Sequence, residues 1–135
     1  MCELMFNEAE KKELDMVICD FYKEYDSGEV EPFKVASFDT TTLKETPSLI
    51  RNINLAPWNK IYKREKVKDL RFKNFRGFND MIFLASSYSR VEKIAFVPDV
   101  LYHYYLRYDS QIHSVNEQDV KNFKKYLLEL KDLYV

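Results

Sequence analysis

Two short, uninterrupted apolar runs constrain the fold of this chain most strongly. The first covers residues 15–22 and reads Asp-Met-Val-Ile-Cys-Asp-Phe-Tyr. The second covers residues 93–97, reads Lys-Ile-Ala-Phe-Val, and is followed directly by Pro98. Runs of this length without polar alternation are typical of strands that are covered on both faces. We therefore predict that both runs are strands of one sheet.

Helical periodicity surrounds these predicted strands. Residues 3–12 place apolar side chains on one helical side, and a second helix is predicted over residues 79–88, after Gly77. A third, amphipathic helix is predicted over residues 116–134, where Asn116 caps the start. Its apolar positions recur at helical spacing: Val120, Phe123, Leu127, Leu130 and Tyr134. The alternation of strands and helices implies an α/β fold, which we assign to one domain over residues 1–135.

The segments between these elements give weaker signals. The sequence Asp-Ser-Gly at 26–28 predicts a turn, after which residues 29–38 return as a second, more exposed strand. Pro32 restricts that strand to a sheet edge, because proline cannot donate a ladder hydrogen bond. Residues 40–47 are polar and are predicted to be a linker.

Composition excludes several classes of protein. In 135 residues, 46% hydrophobic and 16% aromatic content provides enough apolar surface to fold, so disorder is excluded. Basic and acidic residues nearly balance, at 21 against 22, so we expect no nucleic-acid partner. Two cysteines exclude a disulfide scaffold, and Cys19 is predicted to be a small buried residue. Without a bilayer-length apolar stretch or a signal peptide, the chain is expected in a reducing, cytoplasmic compartment.

Few side chains stand out as candidates for chemistry. Asp80, at the start of the predicted second helix, is either a helix cap or a general base, and the pattern alone favours the cap. His103 and His113 have no Cys or paired acid at ligand spacing, so no metal site is predicted in this chain. The two glycines lie too far apart to form a phosphate-binding loop.

Aromatic and basic segments each have two interpretations. Residues 102–107 are either a half-buried strand with alternate rings inward, which the pattern favours, or a stacking platform with Arg107 as an anion clamp. Trp58 is most simply a core or rim anchor. The basic run that starts at Lys60 is interpreted as a solvated face rather than a binding patch. It comprises Lys60, Lys63, Arg64, Lys66 and Lys68.

Together, several segments resemble the C-terminal, acceptor-side half of bacterial family 2 glycosyltransferases of the GT-A type. Residues 56–65, Ala-Pro-Trp-Asn-Lys-Ile-Tyr-Lys-Arg-Glu, resemble that family's W-N-K-L-Y-K-R-E segment, and residues 70–72 resemble its I-R-F step. Residues 77–83 resemble its acidic helix start, usually Glu-Asp followed by hydrophobic residues. Residues 1–26 resemble the family's A-D-I-V-V-C strand and the helix before it. Residues 93–99 and 101–104 resemble its K-I-x-Y-I-P-E-x-L-Y-x-Y stretch. Arg107 and Ser110 fit the Arg-x-x-Ser that follows.

The resemblance covers roughly residues 1–116 and has two internal departures. Asn79 stands where Glu is usual, and Tyr105 stands where Arg is common, whereas Asp80 matches the family's catalytic base. No Asp-x-Asp sequence occurs in the chain. In the family, that motif ends the N-terminal half and holds the metal and the sugar-nucleotide diphosphate. We expect this chain to begin just after that point, as a natural truncation, a piece of a split gene or an excised segment.

The resemblance implies an incomplete GT-A-like, partly Rossmann-like α/β layer with a short mixed sheet. It implies inverting transfer from a sugar nucleotide to a saccharide or lipid-linked acceptor of surface polysaccharide, at the cytoplasmic, inner face of the membrane. Asp80 would be the base, and Trp58, Tyr104 and Arg107 would line the acceptor side. Divalent Mn or Mg and the sugar nucleotide are expected only with the missing half, so the chain alone is expected to be inactive. The alternative is a non-catalytic assembly module that pairs with another protein through an exposed sheet edge.

Overall fold

A computed structural model of the chain describes residues 1–35, 38–49, 53–73, 78–108 and 116–131. Five features named above lie outside this part: Gly77, Ser110, His113, Tyr134 and the side chain of Leu130. The last three positions of the predicted C-terminal helix, 132–134, also lie outside it.

In the described residues, one helix is followed by four strands, two helices, a long strand and a C-terminal helix. The helices are α1 (Cys2–Lys12), α2 (Arg64–Val67), α3 (Asn79–Tyr88) and α4 (Glu117–Lys131). The strands are β1 (Met16–Tyr25), β2 (Val30–Phe33), β3 (Thr40–Thr42), β4 (Lys60–Tyr62) and β5 (Lys93–Leu106).

The strands form one mixed sheet built around β1. β5 lies parallel to β1 on one side, and β3 pairs antiparallel with the first residues of β5. On the other side of β1, β4 pairs with residues 16–18 and β2 with residues 21–24, both antiparallel. The prediction that the two apolar runs are strands of one sheet is confirmed. The α/β class with a short mixed sheet is confirmed as well.

Some boundaries differ from the prediction. β3 is a strand where a polar linker was predicted over 40–47, because three β-branched threonines pair with the start of β5. β2 covers only residues 30–33 of the predicted 29–38, and it lies at a sheet edge, as Pro32 predicts. Both central strands extend beyond their apolar runs, β1 to Tyr25 and β5 to Leu106.

β5 continues past Pro98 because its pairing with β1 is irregular there. Along β1, Cys19 pairs with Val97, whereas two residues later Phe21 pairs with Tyr102. The surplus residues of β5 form an irregularity that includes Pro98, which is exposed. Such a bulge accommodates a residue that has no N–H to donate to the ladder.

The core lies on both faces of the sheet. On one face, α1 contributes Met5 to a cluster with Val17, Cys19 and Ala95. On the other face, α3 contributes Leu84 and Tyr88, as the prediction of a helix packed on the sheet requires. Their main buried strand partners in this second cluster are Met16, Ile18, Phe21, Ile94 and Phe96.

The C-terminal helix α4 packs against the start of α3. Asn116 and Asp119 exchange backbone-to-side-chain hydrogen bonds of 3.0 Å, a reciprocal cap at the helix start. The Phe123 ring stacks on Phe78 with 4.4 Å between ring centroids, whereas Val120 and Leu127 are largely exposed. None of the helices that the structure describes has the length and apolar character to cross a membrane.

Candidate functional site

Three aromatic side chains form a stacked group at the second half of β5. The Trp58 indole lies 4.6 Å from the Tyr102 ring and 4.8 Å from the Tyr104 ring, at interplanar angles of 20° and 11°. Both tyrosines project from the same face of the strand, because residues two apart point the same way. We call Trp58, Tyr102 and Tyr104 the aromatic wall.

Neighbouring rings support the aromatic wall from β1 and β2. Phe21 meets Trp58 edge-on at 4.7 Å, and Phe33 stacks on Phe21 at 4.8 Å. Along β5, Tyr102 and Tyr104 are half-buried, whereas His103 and Tyr105 are exposed. The predicted alternation of inward and outward rings is therefore confirmed. The prediction of Trp58 as a rim anchor also agrees with its half-buried place against the core.

Trp58 is followed by two buried polar residues that hold its loop in place. Asn59 is fully buried; its amide donates to the Cys19 carbonyl at 2.8 Å, and its own carbonyl accepts from the Cys19 N–H at 3.0 Å. The Lys60 ammonium donates to the carbonyls of Asn54 and Ala56, each at 2.6 Å, and to the Asn59 side-chain oxygen at 2.7 Å. These bonds tie residues 54–60 to one another and to β1.

The expectation of a solvated basic face is wrong for Lys60. Its side chain is 5% exposed, whereas Lys63, Arg64 and Lys68 are exposed as predicted. Lys66 is half-buried and pairs with Asp15 at 3.3 Å. The basic residues in the sequence do not reveal that β4 begins at Lys60 and that the Lys60 side chain points toward the loop carbonyls. Burial lowers the pKa of Lys60 to about 7, and it raises the pKa of the neighbouring Cys19 thiol to about 11.

Asp80 lies in the first turn of α3, but it is not the N-cap. Phe78 occupies the cap position in a left-handed conformation with φ 56°, and no side chain makes a capping hydrogen bond there among the described residues. Asn79 instead accepts a hydrogen bond from the Lys73 N–H at 3.0 Å. The prediction that Asp80 caps the helix, which the sequence pattern favours, is therefore wrong. Asp80 retains the favourable place of an acid near a helix N-terminus.

The surroundings of Asp80 favour its neutral form. Its side chain is exposed, yet nearby protein atoms displace part of its hydration and raise the pKa of its carboxyl group. Burial, together with the nearby Asp80 charge, raises the pKa of the Tyr62 phenol. Tyr62 contacts Phe83, one helical turn after Asp80, edge-on at 5.8 Å. A carboxylate with a raised pKa accepts a proton more readily than an ordinary one.

The Tyr62 hydroxyl is buried and has no hydrogen-bond partner within the described ranges. Buried polar groups without a partner are rare, and they often mark a place where a partner arrives. Tyr62 gives no functional signal in the sequence, since an aromatic residue in a short strand is most simply a core residue. Asn59 also gives no functional signal in the sequence, whereas Tyr102 belongs to the segment 102–107, for which a stacking platform was one of the two interpretations.

Arg107 directly follows β5, three residues after Tyr104. It is exposed, and its charge lowers the pKa of Asp26 in the turn after β1, where hydrogen bonds from the Tyr105 hydroxyl and the Tyr108 N–H have the larger effect. The structure thus brings Trp58 and Tyr104 together and places Arg107 just after the end of the same strand. Within the residues that the structure describes, no group of three or more His, Cys, Asp or Glu side chains could hold a metal ion.

Comparison with known proteins identifies the architecture. Neither a protein-family model nor a curated protein sequence matches the chain. Among solved structures, residues 1–349 of S. aureus TarS in complex with UDP-GlcNAc match with a TM-score of 0.69 at 17% identity. That match covers 94% of this chain and 37% of the TarS chain.

A second crystal structure of S. aureus TarS 1–349 matches less closely. Its TM-score is 0.56 at 17% identity, over 84% of this chain and 33% of that one. The chain therefore spans about a third of the length of the structures that it matches. At this identity the likeness concerns the fold alone.

Proposed function

We propose that this chain is the acceptor-side portion of an inverting glycosyltransferase of family 2 with GT-A architecture. The observation that carries the proposal is the match of nearly the whole chain to about a third of TarS. Asp80 supports it independently, as a carboxyl group with a raised pKa at a helix start where no capping bond uses it among the described residues. TarS was solved with UDP-GlcNAc, so a sugar nucleotide is the donor class that we propose for the complete enzyme.

In this proposal Asp80 is the general base. It removes the proton from an acceptor hydroxyl while that oxygen attacks the anomeric carbon, and the bond to the nucleoside diphosphate breaks on the opposite side of the sugar ring. The departing diphosphate requires positive charge, which a divalent metal such as Mn or Mg supplies in such enzymes. We assign that metal and the donor site to the part of the enzyme that precedes this segment, and the chain alone is proposed to be inactive.

The aromatic wall is proposed to contact the acceptor. Sugar rings stack their apolar C–H faces on aromatic side chains, and Trp58 and Tyr104 are held parallel to each other at the sheet rim. Arg107 would meet an anionic part of the acceptor at the far end of β5, such as a phosphate of a lipid-linked saccharide. Saccharide or lipid-linked acceptors for surface polysaccharide fit both features.

The test is Asp80→Asn in a protein that joins this chain to a donor-binding half from a close relative. General-base catalysis contributes about 10²–10⁴-fold, so turnover is expected to fall at least about 100-fold while the melting temperature stays nearly unchanged. Asn79→Ala is the matched control, because Asn79 is a neighbouring polar residue without a proton-accepting role. Equal turnover of Asp80→Asn and wild type would remove Asp80 from the mechanism.

A second candidate function is a non-catalytic assembly module. Strand pairing on the outer side of β5 is described only at residues 93–95, with β3, so the longer remainder of that edge offers backbone groups to another chain. Measuring whether the joined protein transfers sugar, and whether the chain alone captures a partner strand, separates the two functions. Transfer that depends on Asp80 contradicts the module.

A further inference from the structure

The loop that precedes β4 is folded around a single buried ammonium group. All three N–H donors of the Lys60 ammonium have an acceptor, at 2.6 Å on Asn54, 2.6 Å on Ala56 and 2.7 Å on Asn59. The Asn54 side chain closes the same loop by accepting from the Ala56 N–H at 2.7 Å. Trp58 lies between these acceptors in sequence, so the position of its backbone depends on the ammonium.

We propose that Lys60 is a positioning residue: its ammonium fixes the loop over residues 54–59 so that Trp58 stays stacked on Tyr102 and Tyr104. The aromatic wall is therefore set before any ligand binds. Its use as an acceptor-binding surface rests on the proposed function, whereas the positioning itself does not. A preformed wall lowers the entropic cost of ordering side chains when a saccharide binds.

The charge of Lys60 determines how many of these bonds can form. A protonated amine has three hydrogens for the three acceptors, whereas a neutral amine has two and leaves one buried oxygen without a donor. An unpaired buried carbonyl is costly, so deprotonation is expected to loosen the loop. Burial brings the pKa of Lys60 to about 7, although the three accepting oxygens favour the charged form.

One titratable group facing Lys60 from β1 is relevant to this pH dependence. The Cys19 thiol donates to the Asn59 carbonyl at 3.5 Å, and burial raises the pKa of that thiol to about 11. Cys19 therefore stays neutral throughout the range in which Lys60 loses its proton. A transition of the loop near neutral pH is assigned to Lys60 and not to the thiol.

The test uses the intrinsic fluorescence of Trp58, which is the only tryptophan in the chain. Emission and acrylamide quenching are measured from pH 5.5 to 9 on wild type, Lys60→Met, Lys60→Arg and the matched control Lys63→Met. In wild type we expect the quenching constant to rise about twofold with increasing pH, because the stacked face of the indole becomes accessible. Lys60→Met should show the high-pH value throughout, and Lys63→Met should behave as wild type.

Lys60→Arg keeps a positive charge at every pH and is expected to keep the low-pH quenching constant across the range. A flat profile in wild type overturns the proposal, as does a transition that persists unchanged in Lys60→Met. If Lys60→Met does not fold, the comparison of the wild-type and Lys60→Arg pH profiles still tests the proposal. These measurements need neither donor nor acceptor. Loss of the proposed transferase function therefore leaves their outcome unchanged, and the two failures are distinguishable.

Discussion

The substitution Tyr62→Phe, which removes only the phenolic oxygen, is expected to raise the free energy of unfolding of the protein. The hydroxyl of Tyr62 is buried without a hydrogen-bond partner in the described part of the chain, while its ring packs edge-on against Phe83. Phenylalanine keeps that ring contact and removes the unpaired group. Most truncations of a buried side chain destabilise a protein, so the opposite sign is diagnostic.

The size of the gain follows from the cost of an unpaired polar group. Burying a hydroxyl without a partner costs about 1–3 kcal/mol, and the small void left by the oxygen offsets this by a few tenths of a kcal/mol. We expect the free energy of unfolding to rise by about 1 kcal/mol. For a chain of this length that corresponds to a melting temperature about 3 °C higher. In urea the midpoint should rise with an unchanged m-value.

Tyr25→Phe is the matched control, because the Tyr25 hydroxyl donates to the Glu31 carboxylate at 2.7 Å. Removing that bond is expected to lower the melting temperature, the opposite sign to Tyr62→Phe. If Tyr62→Phe lowers stability as Tyr25→Phe does, then the Tyr62 hydroxyl has a partner in solution and the reasoning is refuted. If Tyr62→Phe stabilises the chain but weakens acceptor binding in the joined enzyme, the Tyr62 hydroxyl makes a hydrogen bond to the acceptor.

Two further predictions concern the buried carboxyl group of Asp20 and the sugar-nucleotide donor. Asp20 is buried, accepts from the Val35 N–H at 2.6 Å, and has its carboxyl pKa raised mainly by desolvation. Above the folded-state pKa of Asp20, the cost of burying its charge lowers the free energy of unfolding. As the pH falls through that pKa, the carboxyl group takes up a proton and this cost is lost. In urea titrations, wild type should therefore gain stability relative to Asp20→Asn as the pH falls from neutral to about 4; a constant difference would contradict this. For the donor, calorimetry of the isolated chain with UDP- or GDP-sugars and manganese should show no appreciable binding. Metal-dependent micromolar binding would place a donor site in this chain.

The central elements could be predicted from sequence because burial on both faces leaves a local signature. Val17 and Ile18 on β1, and Ile94 and Ala95 on β5, are continuous apolar runs, and the structure buries all four. The helix over residues 79–88 was predicted at its observed bounds for a similar reason, since its apolar residues face the sheet. These signals are local, so one sequence suffices to read them.

The parts that were wrong depend on the folded geometry of loops, which residue type alone does not predict. Lys60 has the same appearance in sequence as Lys63, yet one lies inside a ring of carbonyl oxygens and the other in solvent. Burial of a lysine costs several kcal/mol unless acceptors are supplied, and only the folded loop shows that they are. Likewise, the pattern placed a cap at Asp80, whereas Phe78 takes that position with a positive φ that residue type alone does not predict.

The extension of the two central strands beyond their apolar runs builds the candidate site. Residues 21–25 of β1 pair in parallel with residues 102–106 of β5, past the irregularity at Pro98. This pairing carries Tyr102 and Tyr104 to the margin of the core, at the carboxyl end of both strands, where Trp58 meets them. Ligands of open α/β sheets bind at the carboxyl ends of parallel strands, because loops and side chains converge there. A change that shortened β5 at Pro98 would therefore leave the buried sheet intact and remove the aromatic wall, so the same strand supplies stability in its first half and the proposed recognition surface in its second.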